Sequence, residues 1–201
     1  MINELQQAPS SIVPANPTTV NQYGEKNVHI DHADNIHQTV NYNLTFIDRS
    51  PNGRRENVTQ KINTDYYNLF VISGETFMHD HFLVPKDRAL VKGTISDDLF
   101  ERLATLTPEA IEEIKTFPAL FASENTDYWG KTDPEQQTIY GLVREIRTQD
   151  NGIMIYYKDL NFIPQQKINE ISFELGMGRP RAITSLNTTR WTIKKINLIE
   201  A

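Results

Sequence analysis

REIRTQDNGIMIYYK, residues 144–158, is the stretch that decides the fold class. Asn151-Gly152 between two runs of alternating apolar and polar residues is a strong hairpin signal, because a type I′ turn needs positive φ at both central positions. A two-residue turn at Asn151-Gly152 pairs Asp150 with Ile153, Thr148 with Ile155 and Ile146 with Tyr157. One face then carries Ile146, Ile153, Ile155 and Tyr157, extended by Leu142. The other sets Arg147 against Tyr156 and Glu145 against Lys158, so unlike charges oppose one another. One face is fit for a core and the other for water.

Around this hairpin the pattern alternates between strand and helix. Tyr66–Ile72 (YYNLFVI) is dense in β-branched and aromatic residues and reads as a buried strand, broken by Ser73-Gly74. Phe82–Val84 and Ala89–Val91 are shorter strand candidates. Ser96 with Asp97 and Asp98 starts a helix whose stripe is Leu99, Leu103 and Leu106. Thr107-Pro108 starts a second, with Ile111 and Ile114 facing inward and Pro118 ending it or opening a new turn. Pro164 opens a third, with Ile168, Ile171 and Leu175 on one side and Gly176 at its end. The last strand spans about Arg190–Ile199, with Trp191 and Ile193 on one face and a bulge at Lys194-Lys195. The expected class is α+β: an antiparallel β-barrel-like or curved-sheet core with about three short helices, behind an extended β-rich N-terminal segment. The expected divisions are a flexible tail at 1–20, a β-rich segment at 21–63 that acts as an oligomerisation element, and a globular domain at 64–201. In the middle segment Val28, Ile30, Ile36, Leu44 and Phe46 alternate with polar residues, and Ser50-Pro51-Asn52-Gly53 supplies a turn.

Composition removes several functions. The chain has 201 residues, no cysteine, 20 Lys and Arg against 26 Asp and Glu, and a net charge of −6. Thiolate catalysis, disulfides and Cys-type metal centres are therefore excluded. The acidic balance disfavours non-specific binding of the whole molecule to nucleic acid or anionic lipid. No apolar run reaches the roughly 18 residues of a membrane span, and MINELQQAPSS lacks the basic and apolar regions of a secretory leader. The expected location is cytoplasmic, with no membrane partner.

Three chemistries are compatible with what remains. The five histidines fall into two groups: His29, His32 and His37, then His79 and His81. On an extended segment His79 and His81 point the same way, and His29, His32 or Asp80 could complete a site for Zn²⁺, Ni²⁺ or Cu²⁺. Ser73-Gly74-Glu75 beside those histidines is the one crowded candidate for nucleophilic hydrolysis, but the Gly-x-Ser-x-Gly elbow is absent. The C-terminal stretch is locally basic, with Arg179, Arg181, Arg190, Lys194 and Lys195 around Trp191. With Arg147, Tyr156 and Lys158 it makes a candidate surface for a protein partner or for single-stranded nucleic acid. Against each stands the plainer reading: solvated histidines, solvated cations and a core tryptophan.

Phe117-Pro118-Ala119-Leu120-Phe121, Tyr140-Gly141-Leu142-Val143, Asp150-Asn151-Gly152-Ile153, Ile163-Pro164-Gln165-Gln166 and Thr189-Arg190-Trp191-Thr192-Ile193-Lys194 together resemble a poorly characterised accessory β-rich module of bacterial conflict and phage-defence-type proteins. Asn21-Gln22-Tyr23-Gly24 with Val28 and Ile30 resembles the short β tags of such proteins. The two stretches cover about half the chain. The resemblance implies a module that accompanies an effector and self-associates through its tag. Its motifs are structural, so it implies no catalytic residues and no cofactor, and the effector domain itself is missing. The expectation is a non-enzymatic binding or assembly module with a protein partner or self-association. A metal-dependent enzyme or histidine-rich metal site, and single-stranded nucleic-acid binding, are the alternatives.

Overall fold

Tyr67–Ile72 is an apolar and aromatic run broken only by Asn68, and such a strand must be covered on both faces. In the computed structural model, which describes residues 41–49, 55–178, 181–198 and 200–201, it lies inside a six-stranded sheet with every residue buried. The strands are β1 (Asn41–Arg49), β2 (Arg55–Asn63), β3 (Tyr67–Ile72), β4 (His81–Val84), β5 (Pro118–Ser123), β6 (Gln137–Gln149), β7 (Gly152–Pro164) and β8 (Arg190–Lys194). The helices are α1 (Asp97–Leu103), α2 (Pro108–Lys115) and α3 (Gln165–Glu170). The main sheet runs β4-β7-β6-β5-β3-β8, and β1 and β2 form a two-stranded antiparallel sheet. The fold is α+β with an open sheet and no closed barrel. The sheet is mixed rather than wholly antiparallel, because β3 and β5 run parallel across the α1–α2 crossover.

Two cores follow from the pleat. Phe70 and Ile72 face a core shared with Leu99 and Leu103 of α1, Ala110 and Ile114 of α2, Phe121, Ile155, Tyr157 and Trp191. Tyr67, Leu69 and Val71 face a second, with Leu120, Ala122, Ile168 of α3, Leu175 and Leu186. Trp191 is fully buried, stacks on Phe70 at 5.1 Å, and its Nε1–H donates to Asn68 Oδ1 at 3.1 Å.

Thr107 caps α2 as expected, accepting from the Ala110 N–H at 3.3 Å, with Pro108 in the first turn. Other expectations need correction. Pro118 opens a strand, β5, whose pairing with β3 and β6 determines its conformation. Ala89–Val91 is not a strand: Ala89 makes one isolated bridge to Trp191, and Leu90 has φ +47. Leu106 lies beyond the end of α1, with φ +50. The last strand stops at Lys194, where a bulge and a continuation were expected.

The hairpin is also two residues out of register. Gln149 pairs with Gly152, so the turn residues are Asp150 and Asn151, and Ile146 pairs with Ile155 rather than Tyr157. An even shift preserves the faces, so Ile146, Ile153, Ile155 and Tyr157 are still buried. Gly152 is an extended residue of β7. A Cβ there would lie 2.7 Å from Val84 O, so glycine is required by the close approach of edge strand β4 and not by a left-handed turn.

The β1–β2 hairpin is tied to α2. Asn63 N–H donates to Thr116 O at 2.9 Å, Gln60 Nε2 donates to Lys115 O, and Ile62 is buried. Both strands belong to a compact unit spanning Gln38–Ala201. The expected tail at 1–20, the strands around Val28, Ile30 and Ile36, and the turn at 50–53 lie outside the described residues.

Two buried phenols make the fold alkali-sensitive. Tyr67 Oη donates to Leu175 O at 2.6 Å, and burial holds its pKa far above the ordinary tyrosine value. Tyr157 is raised too, first by burial and then by the carboxylates of Asp159, Glu75 and Asp80. Both stay protonated in the folded chain at pH values where the unfolded chain ionises. Their stabilisation is therefore whole below about pH 10 and falls as pH rises beyond it. Urea midpoints measured from about pH 8 to pH 11 should drop, and drop less steeply in Tyr67→Phe.

Candidate functional site

The histidines expected to hold a metal come only partly together. His79 and His81 lie at the start of edge strand β4 with ring centroids 6.0 Å apart. His81 Nδ1 is engaged with Asp80 Oδ1 at 2.9 Å, a hydrogen bond that holds the Asp80 carboxyl below the usual carboxylate range. The His81 ring lies 5.3 Å from Tyr156 on β7. Among the described residues no three of His, Asp and Glu are grouped to hold a metal ion. His29, His32 and His37 lie outside the described residues. Ser73 donates its backbone N–H to Thr189 Oγ1 at 2.9 Å, and no hydrogen bond among the described residues joins it to either imidazole. The candidate nucleophilic arrangement does not assemble there.

The expected basic surface is divided. Arg147 is held by Glu145 through two bonds, at 2.6 and 2.9 Å, and its guanidinium lies 4.6 Å over the Tyr156 ring. Lys158 pairs with Asp159 at 3.3 Å. Arg190 and Lys194 are on β8, the opposite edge of the sheet, with β5 and β3 between β8 and β6. At roughly 4.8 Å per strand the two groups are separated by about 14 Å of sheet. Lys195 is exposed beyond the end of β8, and Trp191 belongs to the core.

Two other features dominate this end of the molecule. The parallel strands β3 and β5 end side by side, and crevices form where such strands end. Gly74–Phe77 leaves β3 and Ser123–Thr126 leaves β5, and between them is a cleft of about 590 Å³. Glu75, Phe77, Glu124, Glu135 and Phe162 line it. Glu75 Oε1 accepts the N–H groups of Thr76 and Phe77, which fixes Phe77 at φ +51.

Beside the cleft, the segment from Glu124 to Gln136 is pinned by a buried amide network. Gln165 is fully buried, and its Nε2 donates to Ser123 O at 2.9 Å and Asn125 Oδ1 at 2.8 Å, while Thr138 Oγ1 donates to its Oε1 at 3.1 Å. Asn125 and Asn169 exchange side-chain bonds of 2.9 and 3.0 Å. Gln136 Nε2 donates to Glu124 O at 2.9 Å and receives the Thr132 hydroxyl bond on its Oε1. Each buried amide has its donors and acceptor engaged, so the network is rigid.

What the network holds out is apolar. Tyr128 and Trp129 are 61% and 65% exposed, and Trp129 has φ +59. Its N–H donates to Ala182 O at 3.0 Å, which brings Ile183, 63% exposed, to the same crest. Gly130 is buried, with its carbonyl accepting from Gln166 Nε2 at 3.2 Å. The crest is not legible in the sequence because Tyr128-Trp129-Gly130 is locally a polar-flanked loop. The available signal was a tryptophan inside an otherwise loop-like stretch.

In comparisons with known proteins, no family model matches the chain, and neither does any curated protein or any solved structure. No helix among the described residues is long and apolar enough to cross a membrane.

Proposed function

We propose that this chain is a non-enzymatic protein-binding module whose docking element is the crest of Tyr128, Trp129 and Ile183. The observation that carries the reading is Trp129 itself. It is largely in water, so it adds little burial to the fold, yet it is held at a left-handed φ that costs about 1–2 kcal/mol. A satisfied amide network fixes the strained loop. Rigid, exposed Tyr and Trp supply the large contact areas that concentrate binding energy at protein interfaces. The resemblance carried by the stretch from about Phe117 to Asn197 supports a partner from a bacterial conflict or defence system. Self-association through the 21–63 segment belongs to the same proposal, and a monomeric mass for the full chain in light scattering would remove that limb.

Trp129→Gly should leave stability unchanged or raise it by up to about 1 kcal/mol, since glycine accepts the left-handed φ at little steric cost. A marked loss in denaturant midpoint would make Trp129 a structural residue. The docking itself is tested by a photo-cross-linking residue at Tyr128 in cells that express the protein natively. One defined protein adduct is expected, lost in Trp129→Ser. No protein adduct, or one indifferent to that change, overturns the reading.

A further inference from the structure

The crest borders a pocket of about 310 Å³, and its lining is cationic. Arg181 lies at its exposed rim, Arg190 enters from β8, and Ile183 is shared with the crest. Arg190 is half-buried. Its Nε–H donates to Thr188 O at 3.3 Å, and no ion pair within 4 Å serves it among the described residues. A guanidinium has five N–H donors, so most of its fork has no hydrogen-bond partner among the described residues. Glu124 is the nearest acid by its electrostatic influence, but it spends Oε1 on the N–H and hydroxyl of Thr189. Arg88 adds a like charge, while its own nearby acid is Asp87 at 3.5 Å. Lys194, also half-buried on β8, feels Arg190 as a like charge. Burial, and after it these repulsions, lower the pKa of both groups.

A half-buried cation amid like charges is unfavourable unless an anion completes the site. The Thr184 and Ser185 hydroxyls donate to Asn187 Oδ1 and Met177 O, so they hold the pocket's shape and leave the donating to the two arginines. An arginine fork matches the oxygens of a phosphate two at a time.

We propose that this pocket binds a phosphomonoester carried by a partner protein, with Arg190 as the inner fork, Arg181 at the rim, and the neighbouring apolar residues of the partner on Ile183 and Trp129. The inference gives the docking partner its chemistry, and its protein half rests on that reading. A single phosphorylated side chain is favoured over nucleic acid by the charge layout. A polyanion needs a continuous basic track, but Arg147 and Lys158 are already paired, and the whole chain carries −6.

Calorimetry on the full chain decides the matter, with inorganic phosphate, a capped phosphoserine peptide, its unphosphorylated form and an oligothymidylate as probes. Saturable binding of the phosphopeptide is expected, at least about tenfold tighter than that of the unphosphorylated peptide. Arg190→Lys, which keeps the charge but removes the fork, should weaken it about tenfold or more. Arg181→Ala, at an exposed site that leaves folding intact, should do the same with an unchanged denaturant midpoint. Absence of phosphopeptide binding, binding by both variants as tight as that of the unsubstituted chain, or binding of the oligothymidylate alone overturns the proposal. A Tyr128 adduct without phosphopeptide binding removes the pocket and keeps the docking reading; phosphopeptide binding without an adduct does the reverse.

Discussion

Trp191→Ala should lower the unfolding free energy by about 3–5 kcal/mol, the largest loss expected from one side chain here. The indole is fully buried, stacked on Phe70 in the core beneath α1 and α2. Its removal leaves a cavity that β3 and the helices packed over it cannot close, and strands the Asn68 carbonyl oxygen. Trp191→Phe separates the two effects. It keeps a ring against Phe70 and loses the N–H, so its cost should be about 1–3 kcal/mol. Urea midpoints at unchanged slope measure both. In Trp191→Phe the remaining tryptophan emission comes from Trp129 alone and should resemble that of indole in water. A loss below about 1 kcal/mol in Trp191→Ala would return Trp191 to the solvent side of β8, where a nucleic-acid surface would need it.

Gln165→Leu should cost about 2–4 kcal/mol, and its effect should reach the crest. Leucine fills much of the volume but removes three hydrogen bonds at once. Ser123 O keeps its bond from Gln136, at 3.2 Å, and Asn125 Oδ1 keeps its bond from Asn169. The buried Thr138 hydroxyl is left without its partner. Amide exchange across 126–133 should quicken, because Asn125 loses one of the anchors that fix the loop's entry. The Tyr128 adduct should weaken in parallel. Gln166→Ala gives the smaller companion result, about 1 kcal/mol, since it removes a half-buried bond to Gly130 O and one from Thr132 N–H. If Gln165→Leu left both stability and exchange unchanged, the network would not be what holds Trp129 in place.

Much of the architecture is local enough to be read from residues alone. Thr107-Pro108 starts α2 because an N-cap oxygen and a proline act within one turn. Tyr67–Ile72 reads as a strand because its apolar content leaves no polar face. Near the turn the hairpin's two faces survive the register shift, since side chains alternate with period two; beyond the irregularity between Val143 and Glu145, Leu142 pairs with Lys158 and Val143 takes the place expected of Leu142 on the core face. β5 was hidden because a short apolar run after proline looks alike as a turn or a strand until neighbours hydrogen-bond to it.

The candidate site was hardly legible, for the same reason taken further. Asn125, Gln136, Gln165 and Asn169 are scattered polar letters in the sequence, and only folding gathers them into one network. Likewise the two tryptophans carry no local mark of their opposite fates. The sheet order buries Trp191 and separates Arg147 from Arg190, and the network lifts Trp129 into water. By itself the sequence determined periodicity, caps, the hairpin's faces and the exclusion of thiol chemistry, all set by neighbours along the chain. The tertiary structure alone decided which polar groups are satisfied, which cations lack an ion pair among the described residues and which tryptophan stays in water, because each depends on residues brought together from distant parts of the chain.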